Sequence, residues 1–437
     1  MYTRFSKIII LFSLISFSCF GAEKNIIFFI TDDESPTLGC YGDSIAKTPA
    51  IDALAKDGTV FQNAFATTAS CSASRSVVMS GLHNHANGQY GHQHSFHKFS
   101  SYFNVIELSL PRNLTKAGYR TGHIGKYHVS PEEVFRFETY LKGNPRNAVQ
   151  MAEATKAFIT EKNDQPFFLY FATSDPHRGG GRDMTSKNKL KPDLFGNKPN
   201  RKSHDGVEEV LYDPKDVPIP SFLPDTSETR EELAQYYQSV SRIDQGVARL
   251  VKILKEADLY EKTMFVFTSD HGMAFAGGKT TVYEGGLRVP FVVRNPYEKK
   301  RGVRSSALIS HIDITPTLLD FAGALDAKHN RPIGWEDPKS SFPLPKTKAP
   351  KDNRGVTGKL SSYHGKSWLS VLGQENATHW ESIFASHTFH EIQMYYPMRV
   401  FRDQEFKLIW NIAHPLPYPF ASDLWAASSF QAQYQKS

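Results

Sequence analysis

The hardest ligand atoms of the chain fall in two pairs. Asp32-Asp33 follows the apolar run Asn25 to Thr31, and Asp270-His271 follows the apolar run Thr263 to Ser269. Carboxylate oxygens suit a hard cation, so Asp32, Asp33 and Asp270 favour calcium over zinc. An Asp-Asp pair beyond a strand can also simply cap a helix. Its repetition after a second strand tips the reading to a metal, with His271 as a further ligand or an anion contact. Cys71 has Arg75 four residues on, one helical turn away. Taken alone, such a cysteine is more often a buried structural thiol. Lys126 and His128 are two apart and face the same way on an extended segment. His177 follows Asp175-Pro176, and a histidine titrates in the range useful for proton transfer.

These residues need a frame that brings them together. Pro166 to Thr173 is a third apolar run and leads into Asp175-Pro176-His177. Ligand sites of open α/β sheets lie beyond the carboxyl ends of the strands. Three polar clusters after three apolar runs therefore point to one site. Between the runs the spacing predicts helices. Thr48 to Asp57 enters with Thr-Pro, Ser74 to Met79 follows Cys71, and Ser227 to Ala257 puts Leu233, Tyr236, Tyr237, Val240 and Ile243 on one side. The alternation predicts an α/β fold with a large, mostly parallel sheet flanked by helices.

Residues 1–22 read as a secretory signal, with Arg4 and Lys7 ahead of the apolar run Ile8 to Phe20, which is too short to span a bilayer. The expected organisation is a catalytic domain over 23–325, a loop or linker over 326–365 rich in Lys, Pro, Ser and Gly, and a smaller carboxyl-terminal α+β subdomain over 366–437. The expected location is periplasmic or secreted, or lysosomal in a eukaryote. Without the signal only Cys40 and Cys71 remain. The net charge of +6 suits an anionic substrate without demanding one. No nucleic-acid motif and no stable membrane span are found. Asn113-Leu114-Thr115 and Asn376-Ala377-Thr378 match the glycosylation sequon.

Cys71-Ser72-Ala73-Ser74-Arg75 with Ser80-Gly81 resembles the motif that sulfatase-maturing enzymes read when they oxidise cysteine to formylglycine. Gly118 to His128 fits the second signature of the sulfatase family. Thr31-Asp32-Asp33 and Thr268-Ser269-Asp270-His271-Gly272 match its metal segments, all in the family's order. The resemblance implies an alkaline-phosphatase-like fold, a maturase as partner, a calcium ion on Asp32, Asp33, Asp270 and His271 together with residue 71, and a formylglycine diol that attacks sulfur. It implies that Arg75 stabilises the diol, that Lys126 and Lys279 contact sulfate, that His128 holds or deprotonates the diol, and that His177 protonates the leaving group. The residue at 271 departs from the asparagine common in the family.

Within the family, Gln89-Tyr90-Gly91, Asp175-Pro176-His177-Arg178, Arg242 to Gly246, His390-Glu391 and Tyr396 to Arg399 resemble the sulfamidase branch, which removes N-sulfate from glucosamine at the non-reducing end of heparan-type glycans. That resemblance implies sugar contacts from Arg178, His390, Glu391 and Arg399. Lys279 stands where that branch carries arginine. The family pattern runs on through a further strand and helix, so the small subdomain is expected to be incomplete, with an open sheet edge. An exo-acting O-sulfatase on another sulfated polysaccharide and an inactive glycan-binding homologue stay open, as does a homodimer. A two-zinc phosphatase of the same superfamily fits less well, because its nucleophile is an unmodified Ser or Thr.

Overall fold

The computed structural model describes residues 24–94, 97–179, 194–198, 203–335 and 360–435. The expected signal over 1–22 and most of the 326–365 linker lie outside the described residues.

Eight strands form the central sheet: β1 (Asn25–Thr31), β2 (Thr59–Phe65), β3 (Arg120–Gly125), β4 (Thr139–Leu141), β5 (Phe167–Ala172), β6 (Thr263–Ser269), β7 (Phe291–Arg294) and β8 (Val303–Ser310). Their order is β4-β3-β5-β1-β6-β7-β2-β8. Every pairing is parallel except the two made by β7. Parallel strands need both faces covered, which is why β1, β5 and β6 are buried along their whole lengths and read as unbroken apolar runs.

Alternate side chains of β1 feed two cores. Ile26, Phe28 and Ile30 pack on one face with Val78 and Met79 of the Cys71–Ser80 helix and Leu318 of the Ile314–Phe321 helix. Ile27 and Phe29 pack on the other with Leu233, Val240 and Val247 of the Ser227–Glu256 helix. The three predicted strands and the three predicted helices are thus present, within a residue or two except that the Cys71 helix starts at Cys71 itself.

The segment read as linker holds a two-stranded ribbon, β9 (Leu325–Asp326) with β10 (Arg331–Pro332), which its polar composition did not suggest. Trp368, beyond it, is fully buried between Phe61 and Phe291, so this part of the chain belongs to the main core. A separate antiparallel sheet follows: β11 (Ser382–His387), β12 (Met398–Asp403) and β13 (Lys407–Asn411). Its inner face, with Ile383, Ala385, Met398 and Val400, packs on Phe65, Leu287 and Leu308. No helix among the described residues is long and apolar enough to cross a membrane. The first sequon does not suit glycosylation, because Asn113 is buried and donates its amide to the carbonyls of Glu107 and Ser109.

Candidate active site

The parallel register of β1 and β6 sets Thr31 beside Ser269, so the two acidic turns emerge side by side at one end of the sheet. The turns are stitched together: Asp270 N–H donates to Thr31 O at 3.1 Å, and Asp33 N–H to Asp270 Oδ1 at 3.0 Å. Asp33 has φ 66°, a left-handed conformation uncommon outside glycine, and its carboxylate meets Lys279 Nζ at 3.0 Å and His271 Nε2 at 3.1 Å.

Cys71 is the first residue of its helix and completely buried. Its Sγ lies 3.3 Å from His271 Nε2 and 3.7 Å from Asp33 Oδ1. Two ligand sets converge on it, Asp33-Cys71-His271 and Asp32-Cys71-Asp270, each with its ligand atoms within 4.8 Å of one another. His271 is oriented by its other nitrogen, which pairs with Gly272 O at 2.9 Å. Burial pushes the Cys71 thiol well above its ordinary range; Lys126 and Lys279 oppose this while Asp32 and Asp33 add to it. An unmodified thiol here is a poor nucleophile, since the thiolate is the reactive form.

Three cations surround these carboxylates, Arg75 and Lys279 buried and Lys126 partly buried. Arg75 gives Nε to Asp270 Oδ2 at 3.0 Å and Nη2 to Asp32 Oδ1 at 3.4 Å. Lys126 meets Asp32 Oδ2 at 2.5 Å. Lys279 donates to Asp33 Oδ2 at 3.0 Å. Burial opposes the charge of Asp32, but Lys126, His177 and Arg75 outweigh it and hold the carboxyl well below the usual range. Asp270 goes the other way, to about 6, because burial and the neighbouring Asp32 exceed the help from Arg75. Carboxylates this crowded are what a divalent cation would relieve, so the donor set fits a hard metal.

Lys126 reaches Asp32 because β3 ends at Gly125, which has φ 91° and lies so close to β5 that a Cβ there would sit 1.9 Å from Ala172 O. The segment is not extended beyond this point. His128 has φ 56°, so the alternation expected of Lys126 and His128 is replaced by a left-handed turn. His128 instead packs edge-on against His92, with ring centroids 5.0 Å apart.

His177 is positioned from behind. Asp175, two residues earlier, accepts from Arg242 at 2.7 Å and from Arg146 at 3.0 Å. His177 Nε2 lies 3.1 Å from Lys279 Nζ and 3.8 Å from Asp33 Oδ2. Burial and the Lys279 charge lower it to about 4, leaving a neutral imidazole in the resting site.

The four expected sugar contacts separate. Arg178 is corrected: it is buried against the stacked rings of Phe195 and Phe275, with Nη2 on Glu232 Oε2 at 2.9 Å and Nε on Ala274 O at 3.0 Å. Its guanidinium is bound inside the protein, where it cannot face a sugar. His390 is buried beside the site and pairs through Nδ1 with Ser70 Oγ, next to Cys71. Glu391 is half-buried and accepts from Ser422 Oγ at 2.8 Å. Arg399 sits on β12 with Nη1 on Met398 O, beside His85 and Tyr90.

Asp423 is the residue that sequence reasoning missed. It lies in a short helix, Ser422–Trp425, and its Oδ2 accepts from Lys279 Nζ at 2.7 Å and lies 3.9 Å from His177 Nε2. Ser-Asp-Leu-Trp carries no motif, so no local signal was available. Asp33, His177 and Asp423 form a third potential ligand set, but Lys279 Nζ already bridges all three. Among the described residues one candidate cation site therefore surrounds residue 71, while an ammonium occupies the third set.

An α/β sheet with acidic turns, a buried helix-start cysteine and flanking lysines brings together groups that could hold a hard metal ion and an anion. The chain belongs to the sulfatase family, whose model matches residues 24–324, and it is a sulfatase enzyme. It is 34% identical to the human protein N-sulphoglucosamine sulphohydrolase, over 94% of this chain and 78% of that one. It is 31% identical to an ulvan-active sulfatase of Formosa agariphila over 70% of this chain, spanning about half (55%) of that protein. A solved structure described as bound to its substrate D-glucosamine-2-N,6-O-disulfate has the same fold, with TM-score 0.59, 20% identity and 95% of each chain covered.

Proposed function

We propose that this chain hydrolyses the N-sulfate of a non-reducing-end glucosamine in a heparan-type glycan, with residue 71 converted to formylglycine by a maturase and with calcium held by Asp32, Asp33, Asp270 and His271. The observation that carries the chemistry is the convergence of both ligand sets on Cys71 Sγ, the position from which a formylglycine oxygen would project. The choice of substrate is supported by the 34% identity to N-sulphoglucosamine sulphohydrolase along 94% of the chain.

When bound, the metal supplies Lewis-acid charge that offsets the anion and lowers the proton affinity of an oxygen held on residue 71. The rest falls to the chain's own residues. Lys126, partly buried, and Lys279, buried, offer ammonium groups to the sulfate oxygens, where a lowered dielectric strengthens the attraction. Arg75 locks Asp32 and Asp270 in place. His128, with Nδ1 unpartnered, takes a proton from residue 71. His177 is neutral at rest; the negative charge of an arriving substrate raises its proton affinity, so it can deliver a proton to the leaving nitrogen.

Two measurements test this. The peptide carrying residue 71 should weigh about 18 Da less than its unmodified form. Purified enzyme should release sulfate from N-sulfoglucosamine in preference to 6-O- and 2-O-sulfated sugars. Cleavage of O-sulfated sugars alone would remove the N-sulfate assignment and leave the sulfatase intact.

A further inference from the structure

Asp423 places a carboxylate where an incoming sulfate group would meet its lysine. Side-chain exposure falls from 25% at His177 and 19% at Asp423 to 1% at Lys279 and 0% at Asp33, so the first two form the more open side of this cluster. A negative charge at the mouth of an anion-binding site costs affinity for every sulfate, through Coulomb repulsion. Burial also works against that charge, yet Lys279, His177 and His390 outweigh it and keep Asp423 ionised. The carboxylate is built in: Leu424 beside it packs with Ala274, Met394 and Ala421, and the following helix, Ser428–Tyr434, is tethered by Ser428 N–H donating to Glu232 at 2.8 Å. Oδ1 takes the N–H of Leu424 and Oδ2 the ammonium of Lys279, which leaves a lone pair on each oxygen.

We infer that Asp423 is a specificity-determining residue that favours a sulfated amine over a sulfated alcohol, an inference that rests on the N-sulfate reading above. The bridging atom decides it. A sulfamate nitrogen carries a hydrogen that Asp423 can accept, while the bridging oxygen of a sulfate ester has only lone pairs and repels the carboxylate. The difference grows during reaction. The N–S bond breaks with its electron pair going to nitrogen, sulfur gains its new bond to the oxygen on residue 71, and His177 Nε2 gives its proton to the nitrogen. As that proton arrives before the bond has fully parted, the nitrogen carries positive charge, and an amine product takes up a further proton to become ammonium. An alcohol leaves neutral. A carboxylate beside His177 stabilises the first course and does nothing for the second.

The test compares wild type with Asp423→Asn, which keeps the shape and an acceptor for Lys279 but removes the charge. Two readouts are used: kcat/KM on N-sulfoglucosamine, and inhibition by D-glucosamine against N-acetylglucosamine, which lacks the cationic nitrogen. Wild type should prefer glucosamine as inhibitor. The variant should lose on the order of 100-fold in kcat/KM and lose the inhibitor preference, with an unchanged melting temperature, and Asp423→Glu should restore part of both. Retained activity in Asp423→Asn overturns the inference. So does a loss of activity with the inhibitor preference intact, which would make Asp423 a mere counter-ion for Lys279. If wild type cleaves only O-sulfated sugars, the N-sulfate reading fails before any variant is made, and this inference falls with it.

Discussion

Arg75 Nε donates to Asp270 Oδ2 at 3.0 Å in an ion pair whose two side chains are both fully buried, one helical turn from Cys71. The same guanidinium reaches Thr31 O at 3.1 Å, so one side chain ties the cysteine helix to the ends of β1 and β6. Removing one partner of such a pair strands the other charge in low dielectric. Arg75→Ala should therefore destabilise the fold by about 3–5 kcal/mol and abolish turnover. Arg75→Lys keeps a charge but cannot span two carboxylates and a carbonyl. It should fold, with kcat/KM reduced on the order of 100-fold. Urea unfolding and sulfate release would measure the two effects separately.

Chelation should lower the melting temperature, because a metal that binds only the native state stabilises it by mass action. Calcium should restore both melting temperature and activity better than zinc. Asp270→Asn should weaken the calcium dependence of melting even in protein that retains Cys71 unmodified. A melting curve indifferent to chelator and calcium would count against the site.

Arg178 should behave as a packing residue. Arg178→Gln leaves Glu232 without its charged partner and removes the cation that lies over the rings of Phe195 and Phe275. The expected result is a loss of about 3 kcal/mol of stability with KM little changed in protein that remains folded. A selective rise in KM at unaltered stability would return Arg178 to the substrate pocket.

The fold should be acid-labile through buried neutral histidines. His123 is lowered to about 4, chiefly by burial, among the rings of Tyr127, Phe137 and Tyr170. An unfolded histidine titrates near 6.5. The depressed group contributes its full stability above that value, and the contribution drains away as pH falls from 6.5 toward the folded value. Between pH 6.5 and 5 this amounts to about 2 kcal/mol. His123→Phe should flatten that part of the stability–pH curve, read from urea midpoints at the two pH values. Equal slopes for variant and wild type would place the acid sensitivity elsewhere.

Much of the site was legible because its ligands sit next to strong local signals. Asp32-Asp33, Asp270-His271 and His177 each follow an apolar run long enough to be a buried strand, and parallel strands all deliver their carboxyl ends to one side. The Cys71–Arg75 spacing is one helical turn, and both side chains reach the same acidic turns, Cys71 at Asp33 and Arg75 at Asp270. The fold class followed from the same runs, since seven consecutive buried residues in β1 leave no polar face for water.

Other roles were decided only by tertiary contact. Arg178 adjoins His177 in sequence, yet the Glu232 carboxylate and two phenyl rings draw its guanidinium inward, and a charge goes where a buried partner can meet it. Asp423 is 144 residues from Lys279 and carries no motif, but the docking of its helix puts it against the ammonium. His128 lost its expected alternation to a left-handed turn after Gly125. Composition and spacing determined which chemistry this chain can hold and on which side of the sheet. Which charges face the cleft and which are paired inside was settled by packing, because each buried charge must find its counter-charge in three dimensions, and sequence distance puts no limit on where that partner lies.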